Sequence, residues 1–203
     1  MANEETGPSG KYGDRMLDAG ALRALAHPLR VEIYDILSQY GPQTASTLAT
    51  MTGESSGATS YHLRALAKHA LIREVEGRGS ARERWWERPR GAISFTNPEA
   101  MKTPSGKAAT QVVMREFLNR RHEQLMRYVT EQLVTPESLD DSEAMISTTT
   151  LQLTLPQVEE LTDALQEVVT TFAERYRDQE IDDMRRFSVR TDVFPLPAEG
   201  GAS

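Results

Sequence analysis

The sequence contains no cysteine. That single absence excludes disulfides, thiolate zinc sites, thiol-based metal sensing and cysteine nucleophiles. No apolar run approaches the roughly 20 residues a helix needs to cross a bilayer. Met1 to Lys11 is polar and carries Gly, Pro and Ser, without the apolar stretch of a secretion signal, so a cytoplasmic location is expected. Aromatic residues make up only 6% of the 203 positions, and there is no excess of positive charge, since 23 Lys and Arg face 30 Asp and Glu. A net charge of −7 argues against a general polyanion binder. What remains, 38% hydrophobic and 26% charged, is the balance of a folded protein with one large or two small domains.

The charge is unevenly placed. Residues 1–90 carry twelve basic against eleven acidic side chains, and residues 91–203 carry eleven against nineteen. Within 55–90 the count is eight against four. Local field governs encounter with a phosphate backbone, so this stretch is the candidate nucleic-acid face.

Periodicity and punctuation divide the chain into two modules. Asp18 to Leu25 reads as a short helix, and Ala26-His27-Pro28 as a corner, because the residue before proline avoids the helical region. Pro28 suits the first position of a second helix, buried through Val31, Ile33, Tyr34, Ile36, Leu37 and Tyr40 and stopped by Gly41-Pro42. Thr44 can cap a third helix, and Ser55 or Ser56 a fourth whose Thr59, Leu63, Leu66, Ala67 and Ala70 share one face. Two strands are expected next, Leu71 to Glu76 and Glu83 to Arg88, joined by a glycine-containing loop, Gly77 to Arg82. Asn97-Pro98 and Thr103 to Gly106 mark a loose connection.

The second module starts with a long helix, about Lys107 to Val134, apolar on more than one stripe, followed by an acidic linker, Pro136 to Glu143. Met145 to Leu155 reads as a strand. Thr154 and Gln157 suit a capping box for a helix running to about Asp178. Phe187, Val189, Thr191 and Val193 alternate with polar residues as a final strand. The expected class is mainly α (α+β): a winged helix-turn-helix, then a long helix and a small strand-helix-strand module. The domains fall at 1–13 (disordered), 14–97 (winged helix), 98–198 (dimerisation and candidate effector domain) and 199–203 (tail). Leu151, Leu153, Val189 and Val193 should pack as a sheet on Leu165, Val169 and Phe172.

Ala24-Leu25-Ala26-His27-Pro28-Leu29-Arg30 and Thr59-Ser60-Tyr61-His62-Leu63-Arg64-Ala65-Leu66, followed by Leu71-Ile72 and a basic hairpin, resemble the ArsR-type winged-helix transcriptional regulators. The resemblance covers about residues 18–90. The layout after it is similar to a non-metal branch of that family. It implies a fourth helix that reads DNA and a hairpin that acts as a wing.

Physically, the fourth helix suits that role. Ser56, Gly57, Ser60, Tyr61, Arg64 and Lys68 form a stripe on its non-core side. Small residues let its N-terminus approach phosphate, and hydroxyls and an arginine can reach base edges in the major groove. The hairpin adds Arg78, Arg82 and Arg84, with Arg88 and Arg90 further from the tip. An ordinary solvated face, or charges that block edge pairing, is the plainer alternative for both. Of Trp85-Trp86, one should be core and the other partly exposed.

The four histidines offer no metal site. No cysteine stands in the third helix, and the long helix carries only His122-Glu123 where metal sensors of the family pair Asp and His. His27 reads as a corner residue and His62 as a packing or backbone-contact residue. Nothing resembles a nucleophile elbow or phosphate-cradling loop, so no catalysis, metal or cofactor is expected. The expected protein is a homodimeric, sequence-specific regulator of transcription, more naturally a repressor, that binds a palindromic site on double-stranded DNA. The alternative is a winged-helix module that binds another protein.

Overall fold

The computed structural model describes residues 15–80, 83–91, 93–95, 97–131, 144–176, 179, 182 and 184–197. These divide between two compact units, residues 1–143 and 144–203. The expected N-terminal disorder, the acidic linker and the tail lie outside the described residues. Among those described, no helix is long and apolar enough to cross a membrane.

Local chemistry sets the helices of the first unit. Asp18 caps α1 (Ala19–Leu25), its Oδ1 accepting from the Ala21 amide at 2.7 Å. Pro28 opens α2 (Pro28–Tyr40), whose N-terminal backbone has an orphan position that a residue without an N–H fills at no cost. Gly41, at φ +76°, ends it in a conformation that disfavours any side chain. Thr44 and Thr47 form a reciprocal capping box for α3 (Ala45–Thr52), and Ser55 caps α4 (Ser56–Ala67) through the Ala58 amide. Each such cap is worth about 1 kcal/mol. Between α3 and α4, Gly53 makes the turn at φ +71°. The Thr59 hydroxyl, fully buried, lies 2.9 Å from the Ala45 carbonyl and ties α4 to α3.

The hairpin extends further than its composition suggests. β3 runs Arg73–Ser80, through the glycines expected to form the loop, and pairs antiparallel with β4 (Glu83–Glu87). Gly77 and Gly79, both at positive φ, absorb a register shift between Glu74 and Gly79. A Cβ on Gly79 would also overlap the Glu83 carbonyl oxygen, so the bend needs glycine on two grounds. A third strand, β2 (Gln43–Thr44), pairs with Trp85 and Trp86 and completes the sheet in the order β2-β4-β3. Trp86 is buried and Trp85 half-buried, as alternation requires.

The segment after the hairpin is anchored rather than loose. β5 (Ile93–Ser94) pairs parallel with β1 (Arg15–Met16), and the buried Asn97 side chain donates to the Leu17 carbonyl at 3.0 Å. A single 3-10 turn, Ala100–Lys102, then packs against the start of α5 (Pro104–Glu131). Gly106 is buried there because a Cβ would overlap the Ala100 carbonyl oxygen. One face of α5, with Ala109, Val113 and Phe117, joins a core built on Leu22, Leu25, Ile33, Leu48, Leu63 and Leu66. The long helix thus belongs to the first unit, and the division between units falls further along the chain than the break expected near residue 97.

Polar groups hold α5 as well. Asp35, only 1% exposed, faces Arg120 at 3.7 Å and Arg121 at 3.3 Å, and Glu32 takes Arg120 at 3.1 Å. Gln39 donates to Asp35 at 2.7 Å and accepts from Gln124 at 3.0 Å.

In the second unit, Thr154 and Gln157 form the expected capping box for α6 (Leu155–Arg175). The two expected strands do not form among the described residues: 145–154 and 187–193 carry no ladder. Nor does the expected sheet-on-helix layer, since Leu151, Leu153, Val189, Val193 and Phe172 are all exposed and no residue of α6 is buried. Alternation records that a run suits a strand, but a strand exists only where another edge receives its hydrogen bonds. The class itself stands: mainly helical, with a winged helix-turn-helix, a small sheet and a long helix.

Candidate nucleic-acid interface

α4 packs Thr59, Leu63 and Leu66 into the core, which leaves its opposite side to solvent. Ser56 and Gly57 sit exposed in its first turn, and a Cβ on Gly57 would meet only the Ser55 hydroxyl at 3.9 Å. The helix end therefore offers bare backbone to an approaching surface. Ser60 follows, half-buried, then Tyr61 (64% exposed) and Arg64, and Lys68 caps the C-terminus. The stripe read from helical spacing thus runs along one side of the helix for about three turns.

The hairpin places Arg78 and Arg84 on exposed strand positions. The Arg78 guanidinium lies 3.7 Å from the centroid of the Trp85 ring, an attraction between cation and ring face that limits its freedom. Arg84 sits 3.5 Å from Glu74, an exposed pair that water screens. Arg82 lies outside the described residues. Arg88 is turned inward, donating to the Gly91 carbonyl at 2.6 Å and reaching the Tyr34 hydroxyl at 3.5 Å, so it holds the base of the hairpin. Burial pushes the Tyr34 phenol above its ordinary value, with Arg88 opposing.

His62 lies beside this face. Its ring lies 4.6 Å from that of His27, the residue before α2, tilted at 43°, while Tyr61 meets it edge-on at 5.2 Å. Burial, then His27 and Arg30, hold the His62 imidazole below its usual value, against a small opposing effect of Glu54. Spacing marked His27 as a corner and His62 as packing; it did not reveal that they touch. The Asp35 cluster was equally hidden, because its arginines lie 85 and 86 residues away along the chain.

Residues 25–75 match the family model described as a helix-turn-helix domain. The chain carries that domain. The match begins just before α2 and ends in β3, and so includes the whole of α4. No curated protein matches the sequence. Among solved structures, the chain is similar to transcriptional regulator Tm0710 from Thermotoga maritima, at 11% identity, a TM-score of 0.30 and coverage of 79% of this chain and 90% of that one. It is also similar to a MepR-like protein complexed with pseudoligands, at 18% identity, a TM-score of 0.30 and coverage of 75% and 83%. Likeness at that level bears on neither site nor function.

The wing gives a direct expectation. Arg78→Ala should lower affinity on every DNA sequence alike and reduce the slope of log affinity against log salt by about one unit. Fluorescence anisotropy across a salt series measures it, and an unchanged slope would remove Arg78 from the interface.

Proposed function

We propose that this protein is a DNA-binding transcriptional regulator that acts as a homodimer and represses from a palindromic site. The observation that carries this reading is the face of α4: a helix-turn-helix domain with its second helix exposed along Ser56, Gly57, Ser60, Tyr61, Arg64 and Lys68, flanked by an arginine-bearing hairpin. Ser56 and Gly57 would lie against phosphate, Ser60, Tyr61 and Arg64 against base edges, and Lys68, Arg78, Arg82 and Arg84 against the backbone. A single winged helix covers little DNA, so useful affinity calls for two half-sites and a two-fold dimer. The assignment to ArsR-type regulators rests on Ala24 to Arg30 and Thr59 to Leu66. The second unit, with its exposed apolar side chains, is the candidate place for a small-molecule effector.

A gel shift against the DNA upstream of its own coding sequence tests the proposal. The expected result is a retarded complex that survives excess random competitor; a complex that random DNA abolishes would favour a module that binds protein instead. Within that complex, Arg64→Ala should weaken binding by about 1–3 kcal/mol and relax preference at one base pair. Equal losses on specific and random DNA would reduce Arg64 to a phosphate contact.

A further inference from the structure

Beside the reading face, two buried nitrogen atoms on neighbouring elements have no hydrogen-bond partner. They are Nε of Arg30, in the first turn of α2, and Nδ1 of His62, on α4. His27, immediately before α2, completes the group: its ring touches that of His62 at a tilt, and its side chain makes no cap to the helix. A buried polar atom left without a partner is unfavourable, and of the five such side-chain atoms among the described residues these two lie on the packed pair α2 and α4 beside the reading face. Among the described residues neither atom has a hydrogen-bond partner. Glu54 acts on His62 only through space, and Tyr61 does the same for Arg30.

Resting on the reading of this chain as a DNA-binding protein, we propose that His27, Arg30 and His62 form a phosphate site that seats one backbone phosphate of duplex DNA beside the groove read by α4. Three features fit an anion with several acceptor oxygens and nothing to donate. Guanidinium presents a planar fork that matches phosphate. Two imidazoles stand within ring contact of one another and present further nitrogens. Tyr61, which touches His62, itself projects from the reading face, so a phosphate on this group adjoins the strand whose bases α4 faces. Such a contact carries no sequence information; it fixes the register of the helix in the groove.

The same geometry sets a direction with pH. The groups facing His62 are His27 and Arg30 from α2, its neighbour Tyr61, and Glu54 from the turn before α4. Burial first, then His27 and Arg30, disfavour the charged imidazole of His62 in the free protein. Phosphate favours the charged form, so binding raises the affinity of His62 for its proton. A group whose proton affinity rises on binding strengthens that binding at low pH, and the gain is lost as pH rises through its value in the complex.

The test uses the full chain and a short random-sequence duplex, read by fluorescence anisotropy across salt and pH. Arg30→Gln should lower affinity roughly tenfold and reduce the salt slope by about one. Arg30→Lys, which keeps a point charge but not the fork, should keep the slope and lose part of the affinity. Wild-type affinity should rise several-fold between about pH 7.5 and pH 6, and His62→Gln should flatten that rise. Inorganic phosphate added at constant ionic strength should compete only weakly, since the free ion lacks the neighbouring contacts; strong competition would assign the site to the free ion and overturn the proposal. If the wild type binds no DNA at low salt, the DNA-binding reading fails and takes this site with it. If the wild type binds and Arg30→Gln keeps both slope and affinity, only the site is overturned. Circular dichroism separates loss of fold from loss of contact, and His62→Gln gives an independent answer should Arg30→Gln unfold.

Discussion

Asp35→Ala should destabilise the first unit by about 3 kcal/mol, because it removes the buried carboxylate that both Arg120 and Arg121 face and leaves Arg120 to Glu32 alone. The Asp35 carboxylate is almost wholly enclosed, with Arg120 and Arg121 on one side and the Gln39 amide on another. Those two arginines keep about a fifth of their side-chain surface in water, which places the cost at the lower end for such pairs. At that size the thermal midpoint should fall by roughly 10 °C or more. Thermal unfolding followed by circular dichroism measures it. Asp35→Ala combined with Arg121→Met should recover part of the loss, since the apolar replacement removes a charge that faced the lost carboxylate, keeps the stem, and leaves Arg120 paired with Glu32. A loss below about 1 kcal/mol for Asp35→Ala alone would mean that water reaches the pair and screens it as it does an exposed one. The cluster also has a functional bearing. It is a polar tie between α2 and α5, so loosening it uncouples the two without touching the α4 face proposed to meet DNA.

The parts of this fold that could be read from the sequence are those decided within a few residues. Pro28, the Thr44–Thr47 box, Ser55 and the Thr154–Gln157 box fixed four helix starts, since a cap is satisfied by amides two or three positions on. The buried face of α4 follows helical period at Thr59, Leu63 and Leu66, but Ala70, expected on the same face, is exposed beyond the end of the helix at φ +52°. What escaped is non-local. Gln43–Thr44 is too short to alternate and becomes a strand only because Trp85 and Trp86 lie opposite. The parallel pair β1 and β5 joins residues nearly eighty positions apart, and the buried Asn97 bond to Leu17 spans the same distance. Gly77 and Gly79 signal a turn by composition, yet at positive φ inside a paired hairpin they make a bend in a strand. The runs at 145–154 and 187–193 have the composition of strands without a receiving edge, which no count of alternating residues can reveal. Arg30, His27 and His62 were visible as residues, but not that the His27 and His62 rings touch and that Arg30 stands close enough to act on His62.

Leu118→Glu with Leu125→Glu should convert the protein to a monomer and lower specific DNA affinity by about 1,000-fold or more, toward the level at which a helix-turn-helix binds random sequence. The two leucines are seven residues apart on α5, and with Met114 and Val129 they fall within a narrow arc of the helix. That arc lies roughly a third of a turn from the face that carries Ala109, Val113 and Phe117 into the core. Leu118 is 40% exposed and Leu125 37%, in a chain whose other leucines in the first unit are nearly all buried. An apolar stripe on a helix 28 residues long, with Leu118 and Leu125 exposed among the described residues, is well placed for a symmetric helix pair. Two such helices related by a two-fold axis would also fix the separation of the two α4 helices, which must be about 34–36 Å to meet successive turns of the major groove on one side of the duplex. Placing four carboxylates across that axis, two from each copy, opposes association by repulsion and by the cost of removing charge from water. Because both leucines already reach solvent, the variant chain should keep its helix content and its melting behaviour at low concentration. Light scattering after size exclusion gives the mass, and anisotropy on the specific duplex and on a random one gives the two affinities. Loss of the specific complex with random binding retained would tie specificity to the dimer. A variant that stays dimeric would move the interface off this face of α5, and a wild type that is monomeric at micromolar concentration would remove the dimer altogether.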